Sequence, residues 1–391
     1  MKILILSFYY APDLSAGSFR TSALVEQLAR RNVQIEVITT MPNRYSSLKS
    51  DALQHETIDN VAITRLPIPS HNGGMRSQAW SFFRFYTQAI KIAKRNSYDL
   101  VYATSSRLFT ALLGKRISKI HSIPLYLDIR DIFIDTLEDV LPPLLFRLSS
   151  PFLKRIEKYT FDNVHHINLV SKGFETYFLD KFNCKSYSFF TNGIDNDFIH
   201  YDYTNVEKKR EVNILYAGNI GEGQALHNII PCLAEMAPEI QFTIIGDGAK
   251  KEKLRKLCES LSNVHIKPPL LRKELKKEYK KADILFLHLN NYKAFEKVLP
   301  SKIFEYAATG KPILAGVAGY ASQFIFSEVE NTAIFSPLDE NGAYNAINEL
   351  PLMHSSRSEF ITKFQRKSIM VRLSDSIINL EKSCEANDYG I

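Results

Sequence analysis

Asn213-Ile-Leu-Tyr-Ala-Gly218-Asn219-Ile220-Gly221-Glu222-Gly223-Gln224 is the stretch on which the fold turns. An apolar run of strand length ends in a turn with three glycines, and a helical pattern follows at 227–236. Glycines at such a turn let the backbone approach a ligand closely, and the helix start behind it favours anions. The chain opens on the same design. Lys2-Ile-Leu-Ile-Leu-Ser-Phe8 reads as a strand, and Tyr9-Tyr10-Ala-Pro12-Asp13-Leu-Ser15-Ala16-Gly17-Ser18-Phe19-Arg20 as a loop of small residues. Residues 20–31 then alternate as an amphipathic helix, with Ala23, Leu24, Leu28 and Ala29 on one face and Glu26, Gln27, Arg30 and Arg31 on the other.

Each opening is followed by more of the same. Strands are expected at 3–8, 34–39, 100–103, 125–128 and 166–170, and again at 212–216, 241–245, 264–266, 284–287 and 312–314. Helical periods at 227–236, 250–260, 275–281 and 301–309 separate the second set. Strands alternating with helices predict parallel sheets covered on both faces. The fold class expected is therefore α/β, with two Rossmann-like domains whose sheets face a central cleft. Residues 1–190 form the first and 191–365 the second. A helical segment at 366–391 is expected to pack back toward the N-terminal domain. The polar run 201–211, after Asn192-Gly193, is the expected linker. In open α/β sheets ligands bind beyond the carboxyl ends of the strands.

Composition excludes several classes. With 45% apolar and 23% charged residues, the 391-residue chain can bury sizeable cores. Cys184, Cys232, Cys258 and Cys384 are scattered without a Cys-x-x-Cys pair, so they read as free thiols rather than metal or redox groups. The net charge of +7 gathers at 250–256 and 273–281, but Glu252, Glu259, Glu274 and Glu278 interleave with the lysines as on solvated helices. No nucleic-acid-binding signature is present, and no nucleic-acid partner is expected. No apolar run approaches the roughly 20 residues of a membrane span, and the first strand is too short for a signal peptide. A cytoplasmic protein is expected.

Lys297-Val-Leu-Pro-Ser-Lys-Ile-Phe-Glu305-Tyr-Ala-Ala-Thr-Gly310-Lys-Pro312 carries the most chemistry. Pro300 and Ser301 are helix-start residues, with Ser301 the expected N-cap. Lys297 and Lys302 flank that start, which suits a diphosphate. Glu305, a turn further in, cannot share the phosphate but can accept from ribose hydroxyls. In the first domain, Asp128-Ile-Arg-Asp131 ends a strand. The carboxylates there read either as an internal ion pair or as a group aimed at a ligand, with Asp131 nearer the strand exit. Two segments mix aromatic or apolar residues with basic ones. The first is 74–96, with Trp80, Phe83, Arg84 and Lys91. The second is 141–161, with Arg147, Lys154, Arg155 and Lys158. Each reads either as a core-packed helix or as a membrane-surface helix.

On these motifs the chain resembles the family 4 glycosyltransferases, retaining enzymes of the two-domain GT-B fold. The resemblance rests on Tyr10-Ala-Pro-Asp13 with Ala16-Gly17-Ser-Phe-Arg20, and on Asp128-Ile-Arg-Asp131 and Asn192-Gly-Ile-Asp195. It rests also on Tyr216-Ala-Gly-Asn219 with Gly221, and on Pro300-Ser-Lys-Ile-Phe-Glu305. Among relatives it is most similar to bacterial transferases of O-antigen and capsule assembly, including the N-acetylfucosaminyl type. The resemblance implies a nucleoside-diphosphate sugar donor, a UDP-N-acetylamino sugar, and a polyprenyl-diphosphate-linked saccharide acceptor. It also implies peripheral contact with the inner membrane and chemistry without a metal ion or other cofactor.

The same resemblance implies the site residues. Glu305 would hold the ribose, the Ser301 and Lys302 amides would face the diphosphate, and Gly17 would close over the donor. Asn219 and Gly221 belong to the donor turn. Asp131, Lys297 and Lys302 are the expected catalytic set, and Arg20 is the expected acceptor ligand. Two positions depart from the family pattern. Lys297 stands where many relatives carry a first glutamate, and Asn219 stands where many carry an arginine. The positive charge is therefore expected to have moved to Lys297 and Lys302. A non-hydrolysing sugar-nucleotide epimerase and a non-catalytic sugar-nucleotide-binding subunit are the alternative readings.

Overall fold

The structure is a computed structural model that describes residues 1–43, 52–69, 75–105, 108–204 and 211–388. It divides into two compact units. One comprises Met1–Asn192 with the C-terminal helix, and the other Gly193–Gln365. Most of the expected linker, 205–210, lies outside the described residues, as does Gly74 at the start of the first aromatic-basic segment.

The first unit is built on eight strands: β1 (Lys2–Leu6), β2 (Gln34–Thr40), β3 (His55–Ile58), β4 (Val61–Leu66), β5 (Leu100–Ser105), β6 (Leu125–Ile129), β7 (His166–Leu169) and β8 (Tyr187–Ser188). Their order is β3-β4-β2-β1-β5-β6-β7-β8. All neighbours are parallel except β3 and β4. Ile3, Leu4, Ile5 and Leu6 are wholly buried, as expected for a central parallel strand covered on both faces. The β3–β4 hairpin was not expected. β3 is short and mostly exposed, whereas β4 buries Val61, Ile63 and Leu66, and the hairpin turns on Asp59-Asn60, with Asp59 in the left-handed region (φ 51°). Asn60 donates to the carbonyls of Ala29 and Val33, which ties the hairpin to the end of the first helix.

The helices of this unit are α1 (Ala16–Ala29), α2 (Met75–Ala93), α3 (Leu108–His121), α4 (Phe133–Val140), α5 (Pro143–Phe161) and α6 (Glu175–Lys181). α1 starts four residues earlier than its periodicity suggests, because the Ser15 hydroxyl caps the Ser18 amide at 3.2 Å. Gly17 therefore sits in the first helical turn, not in a loop.

The second unit holds six parallel strands: β9 (Asn213–Asn219), β10 (Gln241–Asp247), β11 (Val264–Lys267), β12 (Ile284–His288), β13 (Ile313–Gly316) and β14 (Thr332–Phe335). The order β11-β10-β9-β12-β13-β14 reverses direction between β9 and β12. That reversal is where an open α/β sheet leaves a crevice at its carboxyl edge. Its helices are α7 (Asn196–Ile199), α8 (Leu226–Met236), α9 (Lys251–Leu257), α10 (Arg272–Lys281), α11 (Lys302–Ala308), α12 (Gly319–Glu328), α13 (Glu340–Glu349) and α14 (Ser358–Phe364). Ile229, Ile230 and Leu233 of α8 pack with Ile214, Phe242, Ile284 and Phe286 in one core. The last helix, α15 (Arg366–Asp388), lies in the first unit. There Asp375 pairs with Arg31 at 2.8 Å and Ser376 meets the Tyr126 hydroxyl at 3.2 Å.

Candidate active site

The loops after β9 and β12 meet in the second unit. The Asn290 amide donates to the Gly223 carbonyl at 2.8 Å, and its side chain donates to the Glu222 carbonyl at 3.0 Å. The Phe295 ring covers Gly223, where a Cβ would come within 3.0 Å of it. On the other side Tyr306 of α11 accepts from the Ala217 amide at 3.0 Å. Asn219 ends β9 and Gly221 follows it, while α11, which carries Lys302 and Glu305, is joined to β9 through Tyr306.

The glycine turn is held from below. Gly246 and Gly248 have φ of 156° and 154°, and a Cβ on them would stand 1.9 Å from the Gly218 carbonyl oxygen and 2.5 Å from that of Ile220. Only glycine lets the exit of β10 pass this close. His288 fixes the far end of the turn. Its Nδ1 donates to the Gln224 carbonyl at 2.8 Å and its Nε2 accepts from the Leu338 amide at 3.2 Å. Burial pushes its pKa down to about 4, so the ring is neutral with a defined tautomer. Asn219 donates to the Gln224 side chain at 2.8 Å, and so organises the turn.

Residues 218–224 contain no lysine, but the fold supplies one. Lys250, from the loop after β10, places its ammonium 2.7 Å from the Glu222 carboxylate. That hydrogen bond is the main cause holding the Glu222 carboxyl below its ordinary range. No local spacing signals the pair.

Around α11 two expectations change. Ser301 has helical φ and ψ of −61° and −23° and its side chain makes no cap bond, so it is not a hydroxyl N-cap. The Ile303 and Phe304 amides turn back to the carbonyls of Pro300 and Ser301. Among the described residues no backbone carbonyl accepts from the Ser301 or Lys302 amide. Lys302 is also less available than expected. Its ammonium donates to Glu305 Oε2 at 2.8 Å and approaches the Tyr279 hydroxyl at 3.4 Å. Tyr279 is buried and bonds the same Glu305 oxygen at 3.4 Å. Glu305 Oε1 bonds no described residue. Lys297 ends a short 3₁₀ turn, Lys293–Lys297, and is half-buried.

An Asp-x-Asp triplet occurs at Asp195-Asn196-Asp197. Asp195 is engaged by Arg272, whose guanidinium also lies over the Phe198 ring at 5.5 Å. Among the described residues no three His, Cys, Asp or Glu side chains group in a way that would hold a metal.

The first unit places its residues at the ends of β1 and β6. Arg20 corrects the sequence expectation of an acceptor ligand. It is wholly buried, forks onto both Asp128 oxygens at 2.9 and 2.8 Å, and donates to the Phe190 and Thr191 carbonyls at 2.8 and 2.6 Å. Burial is the largest influence on the Asp128 carboxyl and raises it, but the charges of Arg20 and Arg130 together with the hydrogen bonds from Arg20 and Asn168 outweigh it, and the net shift is downward. Arg20 therefore ties α1 to β6 and to the segment after β8. Asp131 is not part of that pair. Burial raises its carboxyl to about 6, and its nearest hydroxyl, on Thr136, is 3.5 Å away. Arg130 was not singled out by the sequence. Its Nη1 is buried without a hydrogen-bond partner among the described residues, 2.7 Å from where a Gly17 Cβ would be. Burial lowers its pKa to about 10. Gly17 is thus the residue that gives this guanidinium room.

Residues 17–186 match the family model described as glycosyl transferase 4-like domain, and residues 201–367 the model described as glycosyl transferases group 1. The protein is a glycosyltransferase with the GT-B fold. Over 79% of this chain and 82% of the other, it is 25% identical to an Escherichia coli (strain K12) protein that carries the name colanic acid biosynthesis glycosyl transferase WcaI. Sucrose-phosphate synthase of Thermosynechococcus elongatus shares the fold with a TM-score of 0.77 at 14% identity, covering 98% of this chain and 99% of that one. HepE of Anabaena, solved with UDP and glucose, matches with a TM-score of 0.62 at 15% identity over 100% of both chains.

Proposed function

We propose that the protein is a retaining glycosyltransferase of bacterial surface-polysaccharide synthesis. It would move a sugar from a nucleoside-diphosphate donor, a UDP-N-acetylamino sugar, to a polyprenyl-diphosphate-linked saccharide at the cytoplasmic face of the membrane. The observation that carries this reading is Glu305. Its carboxylate is carried by α11, the helix whose Tyr306 bonds β9 at Ala217, with one oxygen held by Lys302 and Tyr279 and the other bonding no described residue. A ribose diol supplies the hydroxyl donors such an acceptor needs. The UDP bound to HepE and the polysaccharide role in the name of WcaI support the donor and the pathway class.

In this reading the acceptor oxygen forms a bond to the anomeric carbon as the bond from that carbon to the β-phosphate breaks. The acceptor proton passes to the departing phosphate on the same face. Charge builds on that phosphate, and its stabilisation is the main catalytic task. Lys297, the remaining N–H of the Lys302 ammonium and the Ser301 and Lys302 amides take that task, so the reaction needs no metal. Asn219 and Gly221 shape the donor turn. Asp131 and Gly17 act on the sugar and acceptor side.

A thermal-shift screen of UDP-, GDP- and dTDP-sugars tests the donor, since a ligand of the native state raises the melting temperature. UDP-N-acetylfucosamine and UDP-N-acetylglucosamine should stabilise the protein most. Turnover of the stabilising donor should then depend on a lipid-linked acceptor. Donor consumption at full rate without any acceptor would overturn the transfer reading.

A further inference from the structure

Arg130 follows β6 directly, at the carboxyl end of the strand. Side chains alternate along a strand, so Asp128 and Arg130 share one face and Asp131 takes the other. The contacts fit this alternation. Asp128 meets Arg20 of α1, Arg130 lies beside Gly17 of α1, and Asp131 approaches Thr136 of α4 at 3.5 Å. Arg130 Nη1 is buried, and no described residue accepts from it. The residue as a whole is half-buried, so a ligand from solvent can reach it.

The surrounding charges do not answer this cation. Asp128 attracts it most, but both Asp128 oxygens are already held by Arg20, and Asn168 adds a bond at 2.7 Å. Arg20 and Arg366, the first residue of α15, act on Arg130 with like charge. A buried donor without an acceptor is costly, and folded proteins keep few of them. A water would meet the hydrogen bond but not the charge.

The chain also keeps space for this group. A Cβ on residue 17 would stand 2.7 Å from Arg130 Nη1 and 3.6 Å from its Cζ. Gly17 lies in the first turn of α1, where the backbone is helical. Glycine is a poor helix residue, so the backbone gains nothing from it there. What the missing side chain provides is room for the guanidinium.

We propose that Arg130 is an oxyanion-recognition residue of the first unit, binding one phosphate or carboxylate group of a substrate. A guanidinium takes such groups through two parallel N–H bonds, a geometry that lysine lacks. The carboxyl end of a strand is where an open α/β sheet receives its ligand. The inference rests on the proposed transfer reaction for its choice of ligands. In that reaction the expected anion is the diphosphate of the acceptor, and a carboxylate on the donor sugar is the other source of the same chemistry.

Calorimetric titration of the full chain tests it. Geranyl diphosphate, added with and without saturating UDP, is the probe for the acceptor phosphate. UDP-glucuronate, read against UDP-glucose, is the probe for a donor carboxylate. Arg130→Met should bind geranyl diphosphate about 10- to 100-fold more weakly in the presence of UDP. Its affinity for UDP-glucose should stay within about twofold of the parent. Arg130→Lys keeps the charge without the fork and should lose about tenfold. Gly17→Ala presses on the guanidinium and should reproduce part of the loss. Because an unpaired buried charge is removed, Arg130→Met should melt at or above the parent temperature, which an arginine held only for structure would not allow. A loss confined to UDP-glucuronate would support the site and assign its anion to the donor sugar. Parent-like binding of both anionic probes by Arg130→Met would overturn the proposal. So would an equal loss for UDP-glucose, a melting temperature several degrees lower, or a parent protein that binds neither anionic probe. A parent that binds no UDP-sugar but does bind geranyl diphosphate would refute the donor reading alone, and the titration without UDP would still decide the role of Arg130.

Discussion

Replacing Lys302 with methionine separates the two tasks its ammonium is asked to perform. The side chain keeps its apolar stem, so packing changes little, but Glu305 loses an ion-pair partner and the diphosphate loses a cation. The structure sets the size of each effect. The pair is 2.8 Å long, with Lys302 and Glu305 at 25% and 13% side-chain exposure, so it is shielded but still reached by water. Loss of a charge-assisted hydrogen bond to phosphate costs about 1.5–3 kcal/mol. At about 1.4 kcal/mol per decade, UDP should bind about 10- to 100-fold more weakly. Uridine has the ribose but no phosphate. Removing the ammonium that competes for Glu305 alters its binding by no more than the worth of a partly exposed pair, about 0.2–1 kcal/mol or up to about fivefold. Calorimetric titration of the parent and Lys302→Met with UDP and with uridine measures both numbers. Glu305→Ala is the complementary variant and should weaken UDP and uridine by the same factor. If Lys302→Met weakens both ligands equally, the ammonium serves only to position Glu305, and the idea that lysine charge replaces the missing arginine is wrong.

Three further outcomes are expected. Burial raises the Glu157 carboxyl from an ordinary 4.5 to about 7, so the fold favours its neutral form. The stability this contributes is full below about pH 4.5 and lost as pH rises through 7, by at most about 3 kcal/mol. Glu157→Gln should unfold at a urea concentration close to the parent at pH 4.5 and at a clearly higher one at pH 8.5, and an equal difference at both would refute the shift. If Asp131 acts as an ionised group, kcat/KM should rise with pH through about 6, and Asp131→Asn should remove that limb of the pH–rate profile. Arg20→Met leaves the buried Asp128 charge and two backbone carbonyls unanswered, which should cost about 3–5 kcal/mol in denaturant unfolding. A stable, donor-binding Arg20→Met protein that fails only with acceptor would restore the acceptor role withdrawn above.

The apolar runs of β1, β5, β6, β9, β10 and β12 are local and continuous. They are legible without any tertiary information, because a strand buried on both faces must be apolar at every position. The glycine turn after β9 and the Lys297–Glu305 segment were legible for a similar reason, since close backbone approach and helix starts leave marks within a few residues. β3, β8 and β14 were not, because each is short and stabilised by its neighbour more than by its own pattern, and β4 was missed although its apolar residues alternate. The Lys302–Glu305 spacing of three was in plain view, yet only geometry showed that the lysine leans on the glutamate.

The same divide separates Arg20 from its expected role. In the sequence it is a cation at the end of a ligand loop. The partner that claims it, Asp128, is 108 residues away, and no local pattern encodes a contact across that distance. Lys250 entered the glycine turn by the same route, from the end of an adjacent strand. For α5 the sequence supplied the basic row and the apolar residues. Which apolar residues the core would take and which it would leave in water depended on what packs beside the helix. The chain thus determined its own strands, turns and chemistry-bearing residue types through short-range sterics and hydrophobicity. Burial and charge pairing, set only when distant segments meet, decided which of those residues remain available to a ligand.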